Sequence, residues 1–327
     1  MRNAMAEAEV GDDVFSEDPT VRELEAEAAR ILGKESALYT PSGCMANQLA
    51  IAVHTTTGDE VIIEADAHIF NYETTAASYL SRVQLSPVKA ADRGLLSAED
   101  IQPAIREKAY YMPVTRLIAL ENTHNRAGGT VYPMERIRDV AGLARKHGIR
   151  MHLDGARLWN ACAFSGHMPK EYADHFDTVS VCFSKGLGAP VGSAIAGTKE
   201  RIALARRFRK IWGGGMRQAG IIAAGALYAL RNNRERLAED HAKARRFSEI
   251  ILDSSKHIQI DMNRVETNIV LLKIDGGPDL DHSLGMLKEK GVLLSLGAHG
   301  LLRAVTHLDV TMAQCETAAR TLVEIFG

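Results

Sequence analysis

Apolar side chains recur along this chain in two alternating rhythms. After Asp18-Pro19, an N-cap residue followed by proline, the positions Val21, Leu24, Ala28 and Ile31 return at helical spacing and predict a helix running to Gly33. Shorter runs at Ala37 to Thr40, Glu60 to Glu64, Arg116 to Glu121, Arg150 to Asp154 and Thr178 to Phe183 read as strands. Several are unbroken apolar blocks, such as Val61-Ile62-Ile63 and Leu117-Ile118-Ala119-Leu120, the pattern of strands buried on both faces. Helical stretches separate them, including Met45 to Val53 and Pro133 to His147. This alternation predicts an α/β fold with a parallel sheet covered by helices.

The pattern changes after Gly213-Gly214-Gly215. Met216 to Leu230 and Arg234 to Leu252 read as long helices. Strands are predicted at Asn268 to Ile274, Val292 to Leu296 and Leu302 to His307, with helices from Pro278 to Lys290 and from Thr311 to Phe326. A length of 327 residues suits two units, a larger one over 1–232 and a smaller α+β unit over 233–327.

Composition narrows the function classes. With 46% apolar and 24% charged residues the chain is neither disordered nor fibrous. The net charge is −2 and no basic block stands out, so nucleic acid is not expected as a partner. The longest apolar stretch, Ala219 to Leu230, falls short of the roughly 20 residues that cross a bilayer, so no membrane association is expected. Met1 to Gly11 carries Glu7 and Glu9 and lacks the apolar core of a secretory leader, which leaves a cytoplasmic location as the expectation. Cys44, Cys162, Cys182 and Cys315 lie far apart without a CxxC pair, so reduced thiols are expected, with no bound metal.

In open α/β sheets ligands sit beyond the carboxyl ends of the strands. Five such places carry polar groups. Ser42-Gly43-Cys44 joins a strand to a helix start, where backbone N–H groups favour a phosphate; an ordinary turn with serine as N-cap explains the same residues. His68, after Val61 to Glu64, could stack on a planar cofactor or move a proton, or could be a surface loop histidine. Glu121-Asn122-Thr123-His124-Asn125 groups a carboxylate, amides, a hydroxyl and an imidazole, although turn chemistry accounts equally for the asparagines. Asp154 ends a buried strand and requires a partner, either an external cation or Arg157 three residues on. Lys185 ends another apolar strand among small residues, with glycines after it that leave room for a bulky group. A lysine taken out of water can condense with a carbonyl to form a Schiff base. A phosphate cradle, a stacking imidazole, a buried carboxylate and such a lysine together describe a seat for pyridoxal 5′-phosphate (PLP).

With these residues the chain resembles the threonine aldolase family, fold type I enzymes that depend on PLP. The matching segments run through the chain in order: Gly11 to Val14, Glu17 to Thr20, Glu121 to Asn125, His152 to Arg157, Ser184 to Gly188, Gly213 to Gln218 and Val305 to His307. The resemblance implies a central, mostly parallel, seven-stranded sheet with a smaller C-terminal domain. It implies cleavage of L-threonine or L-allo-threonine to glycine and acetaldehyde. Lys185 would hold the coenzyme, Asp154 would keep its ring nitrogen protonated, and His68 would stack on the ring. Ser42, Gly43 and Cys44 would take the phosphate, joined by Arg217, possibly supplied by a neighbouring subunit. Arg157 would lie near the ring oxygen and the substrate, and Arg303 would pair with the substrate carboxylate. His68 or His124 would be the base. Cys44 stands where relatives carry a hydroxyl residue, commonly threonine. A homo-oligomer, a dimer of dimers, is implied as well. Two other outcomes follow from the same resemblance: a PLP-dependent β-eliminating lyase, or a coenzyme-binding homologue with impaired turnover, since relatives carry a further segment ahead of the first matching motif.

Overall fold

The computed structural model describes residues 1–276 and 279–327. One sheet contains β1 (Ser36–Thr40), β2 (Glu60–Glu64), β3 (Gln84–Val88), β4 (Thr115–Glu121), β5 (Arg150–Gly155), β6 (Thr178–Cys182) and β7 (Ser193–Gly197), in the order β1-β7-β6-β5-β4-β2-β3. The pairs from β3 through β6 are parallel, and β7 runs antiparallel to both its neighbours. A short loop joins β6 to β7, which a parallel crossover could not use. That loop carries Lys185. Two strands escape the hydrophobic pattern: β3 contains Pro87, tolerated because the strand lies at the sheet edge, and β7 is built mainly of small residues.

Helices cover both faces of this sheet. Asp18 caps the helix Pro19–Leu32 by accepting from the Val21 N–H at 3.0 Å, and its other oxygen accepts from the Gly220 N–H at 2.8 Å. This second bond starts the helix Gly220–Asn232 four residues later than the apolar pattern predicts. The helix Leu237–Ser254 spans two hydrophobic cores: Leu237 closes the first, and Ala244, Phe247 and Ile251 open the second. The second core lies under an antiparallel sheet of β8 (Ile258–Gln259), β9 (Ile269–Ile274), β10 (Ser295–Leu296) and β11 (Leu302–Val305), in the order β10-β11-β9-β8. The predicted strand Val292 to Leu296 is reduced to its last two residues. Helices Leu280–Glu289 and Met312–Phe326 complete this part, and the predicted helix start at Pro278 lies outside the described residues. No helix among the described residues is long and apolar enough to cross a membrane.

Candidate active site

The carboxyl ends of the strands converge as the α/β rule requires. A cavity of about 240 Å³ is lined by Ser42, Gly43, Cys44, His68, Asp154 and Lys185, brought from five loops. Ser42 Oγ accepts the Met45 N–H at 3.2 Å and caps the helix Gly43–His54, so Gly43 and Cys44 sit in a first turn whose N–H groups have no acceptor within the helix. A Cβ at position 43 would stand 2.9 Å from Cys182 Sγ, so only glycine fits. Lys185 is half-buried, in a turn closed by the Gly188 N–H on the Lys185 carbonyl at 2.8 Å, with Gly188 at φ +74°. The glycines after Lys185 do not make room for a ligand: a Cβ at Gly186 would meet Leu237 at 2.8 Å, and neither Gly186 nor Gly188 lines the cavity.

Register places Glu121, Asp154 and Ser180 on one rung of the sheet. Asp154 is 3% exposed, and its oxygens accept only from neutral donors, the Asn47 amide at 2.8 Å and the Ala156 N–H at 3.1 Å. The internal Asp154–Arg157 ion pair, one of the two sequence readings, does not form. Arg157 turns to Asn125 Oδ1 at 3.1 Å instead. A buried carboxylate without a cation leaves a site for one.

A second cavity, about 300 Å³, adjoins the first through His68 and is bordered by Tyr72, Asn125, Arg126, Leu296 and Arg303. Arg303 donates to the same Asn125 oxygen at 2.9 Å, while its Nε is buried without a partner. Burial, and next the charge of Arg157, push Arg303 down to about 10. Two guanidiniums therefore meet on a neutral amide with no carboxylate between them, an arrangement that fits an incoming anion. Glu121 holds this region together by accepting from the His68 N–H at 2.6 Å and the Asn125 N–H at 2.8 Å. At the mouth, Asp66 receives Arg126 from one side and His299, from the smaller domain, from the other.

His68 sits over a buried carboxylate: its Nδ1 lies 3.0 Å from Glu73 Oε1, and that bond raises its pKa against the opposing effect of burial. Its ring tilts against Tyr72 at 5.6 Å, and Arg126 lies over the far side of that phenol. Cys44, His68 and Glu73 have donor atoms within 4.8 Å of one another. Burial pushes the Cys44 thiol up to about 11, so it stays a neutral thiol, and the imidazole is already bonded to the carboxylate. These groups read as a wall of the cavity.

Two residues expected at the site lie elsewhere. His124 is fully buried and lines neither cavity; its Nε2 meets Glu64 at 3.0 Å and its Nδ1 accepts the Ala127 N–H at 3.3 Å. Burial disfavours its charged form, but Glu121 and Glu64 outweigh burial and raise its pKa. Arg217 is 60% exposed at its side chain, paired with Asp12 at 2.5 Å, and does not line the cavity of its own chain. Conversely, Asn47 and Glu73 went unrecognised in the sequence. Asn47-Gln48 did leave a signal, two amides inside an otherwise apolar helix; Glu73 left none.

The comparisons with known proteins agree with this geometry. The chain belongs to the beta-eliminating lyase family, whose profile matches residues 1–276. Within it, the chain is 42% identical over 316 residues to low-specificity L-threonine aldolase 1 of Arabidopsis thaliana, across 95% of this chain and 88% of that protein. Among solved structures, the Leishmania major threonine aldolase superposes with a TM-score of 0.82 at 18% identity, covering 100% of this chain and 94% of that one. A serine palmitoyltransferase from S. paucimobilis solved with bound PLP superposes with a TM-score of 0.78 at 18% identity, over 99% and 81%. The architecture is fold type I of the PLP-dependent enzymes.

Proposed function

We propose that this protein binds PLP and cleaves L-threonine and L-allo-threonine to glycine and acetaldehyde. The observation that carries the reading is the pair of unmatched charges in adjoining cavities: Asp154 without a cation, and Arg157 with Arg303 without an anion. The chain's groups suit the coenzyme: Lys185 offers an amine to its aldehyde, Asp154 a counter-charge to a protonated ring nitrogen, and the Ser42 to Cys44 turn a helix start for its phosphate. When bound, that group supplies the sink for the electron pair left at the substrate Cα.

The chain's own residues do the rest. Arg303 and Arg157 take the substrate carboxylate and fix the amino acid with its β-carbon toward His68. The neutral imidazole of His68 then removes the proton of the β-hydroxyl, the Cα–Cβ bond breaks, and acetaldehyde leaves. Return of a proton to Cα yields glycine. His68 is assigned the base because it borders both cavities, whereas both ring nitrogens of His124 are engaged away from them. The proposal includes a cytoplasmic homo-oligomer, a dimer of dimers, in which Arg217 serves a neighbouring subunit's phosphate.

Incubating the coenzyme-loaded protein with L-threonine and with L-allo-threonine, coupled to NADH-dependent reduction of the aldehyde, tests the reading. Acetaldehyde and glycine in equal amounts support it. Ammonia with a keto acid would assign elimination instead, and neither product, with coenzyme bound, would leave an inert homologue.

A further inference from the structure

We infer that Glu73 is a positioning residue for His68: through a buried hydrogen-bonded chain that reaches Asp154, it fixes the tautomer of the imidazole and the pH at which it works. This rests on the reading of His68 as the base. Glu73 is 4% exposed, and the groups around it dictate where each proton goes. Its Oε1 lies 3.0 Å from His68 Nδ1 and accepts from Asn47 Nδ2 at 2.9 Å, while Oε2 accepts from Gln48 Nε2 at 2.6 Å. The Asn47 amide cannot be reversed, because its Oδ1 accepts from Ser180 Oγ at 2.7 Å and faces His152 Nε2 at 3.2 Å. Its two N–H bonds therefore go one to Glu73 and one to Asp154.

A carboxylate with no N–H or O–H of its own can only accept at Nδ1. The proton is thereby held on Nδ1, and Nε2 becomes the lone-pair nitrogen of a ring that borders both cavities. The logic is that of an Asp–His pair in acyl-transfer enzymes, where the carboxylate orients the imidazole and stabilises its charged form. Glu121 cannot serve this purpose, since it grips the His68 backbone N–H rather than the ring. The charged groups facing His68 are Glu73, Asp154 and Glu121; the Cys44 thiol lies close by, and Lys185, Arg126 and Arg303 share its two cavities. The Glu73 hydrogen bond is the largest of the influences on the ring's proton affinity, and it acts to raise it.

The test follows the His68 ring by NMR across pH, in coenzyme-free and coenzyme-loaded protein, beside the pH profile of kcat. In Glu73→Gln the midpoint of His68 moves to lower pH in both forms and the acidic limb of kcat moves the same way. In that variant kcat falls by about 10²-fold or more, KM for L-threonine stays within about threefold, and Glu73→Asp restores part of kcat. In Gln48→Leu the carboxylate loses a donor, becomes more basic, and shifts the His68 midpoint to higher pH. A His68 midpoint that stays in place in Glu73→Gln overturns the proposal, whatever happens to turnover. If Glu73→Gln does not fold, an unmoved midpoint in Gln48→Leu overturns it equally. A wild-type protein that makes no acetaldehyde would defeat the reading of the function, while the coenzyme-free titration would still decide the role of Glu73.

Discussion

Arg303→Met should cost activity without costing stability, the signature of a charge held for a ligand. Arg303 and Arg157 donate to the same Asn125 oxygen at 2.9 and 3.1 Å, so the donating nitrogens lie within about 6 Å of each other. At an effective dielectric constant of about 20, two like charges at that distance repel by roughly 3 kcal/mol, more than one hydrogen bond to a neutral amide returns. The buried, unpartnered Nε of Arg303 adds to the strain in the free protein. Methionine keeps most of the apolar stem and removes the charge. Losing one partner of a buried charged pair weakens transition-state binding by about 2–5 kcal/mol, or roughly 30- to 5,000-fold in kcat/KM. The aldehyde-coupled assay at low L-threonine reads that loss, and a thermal melt of the ligand-free protein reads stability. The expected result is a melting temperature equal to or above that of the parent, with glycine stabilising the parent but not the variant. A variant that melts several degrees lower and keeps kcat/KM within about threefold would refute the reasoning, because the guanidinium would then be structural.

Three further outcomes follow. Asp154→Asn leaves one of two neutral donors facing an amide N–H, because both carboxylate oxygens accept; turnover should fall by about 10²-fold or more and stability by about 1–3 kcal/mol, measured by coupled assay and denaturant melt. His124→Asn should alter stability rather than the pH profile of kcat. Because the folded protein raises the His124 pKa above 6.5, the ring's contribution is fully present below that value and is lost as pH rises through the folded value. The difference in melting temperature between parent and variant should therefore be largest in acid, and a pH-independent difference would refute the assignment. Cys44→Thr exchanges a neutral thiol for a better donor at the helix start, so coenzyme affinity measured by absorbance titration should rise about 2- to 10-fold.

What the sequence disclosed was local. Lys185, Asp154, His68 and the Ser42 to Cys44 turn could be found because each follows a buried strand, and one topological rule sends all such positions to one rim. The partners that give these residues their chemistry are distant in the chain. Asn47 and Asp154 are 107 residues apart, and Asn125 and Arg303 are 178 apart. No periodicity registers such a meeting. His124 shows the converse: it sits in a polar strand-end motif of the expected kind, yet it points toward Glu64 rather than the cavity, because the segment after β4 folds back to pair His124 with Thr130. The edge strand β3 was hidden by Pro87, which in a central strand would break the ladder.

The separation of Asp154 from Arg157 carries a further consequence. Opposite charges three residues apart at a strand end would ordinarily neutralise each other, and a chain shaped for stability alone would let them. Here the carboxylate is satisfied by two neutral donors and the guanidinium by a neutral amide, so each keeps its charge while being held in place. A ligand carrying only one sign of charge could answer only half of this demand. The complete answer is a cation against Asp154 and a carboxylate between Arg157 and Arg303, in cavities joined at His68. A protonated pyridine ring and an amino acid attached to it meet that requirement together, and neither meets it alone. The same division explains how charges can remain unpaired inside the protein: Asn47, Ala156 and Asn125 orient them without cancelling them, and that preorganisation is worth more in a reaction than in the free fold.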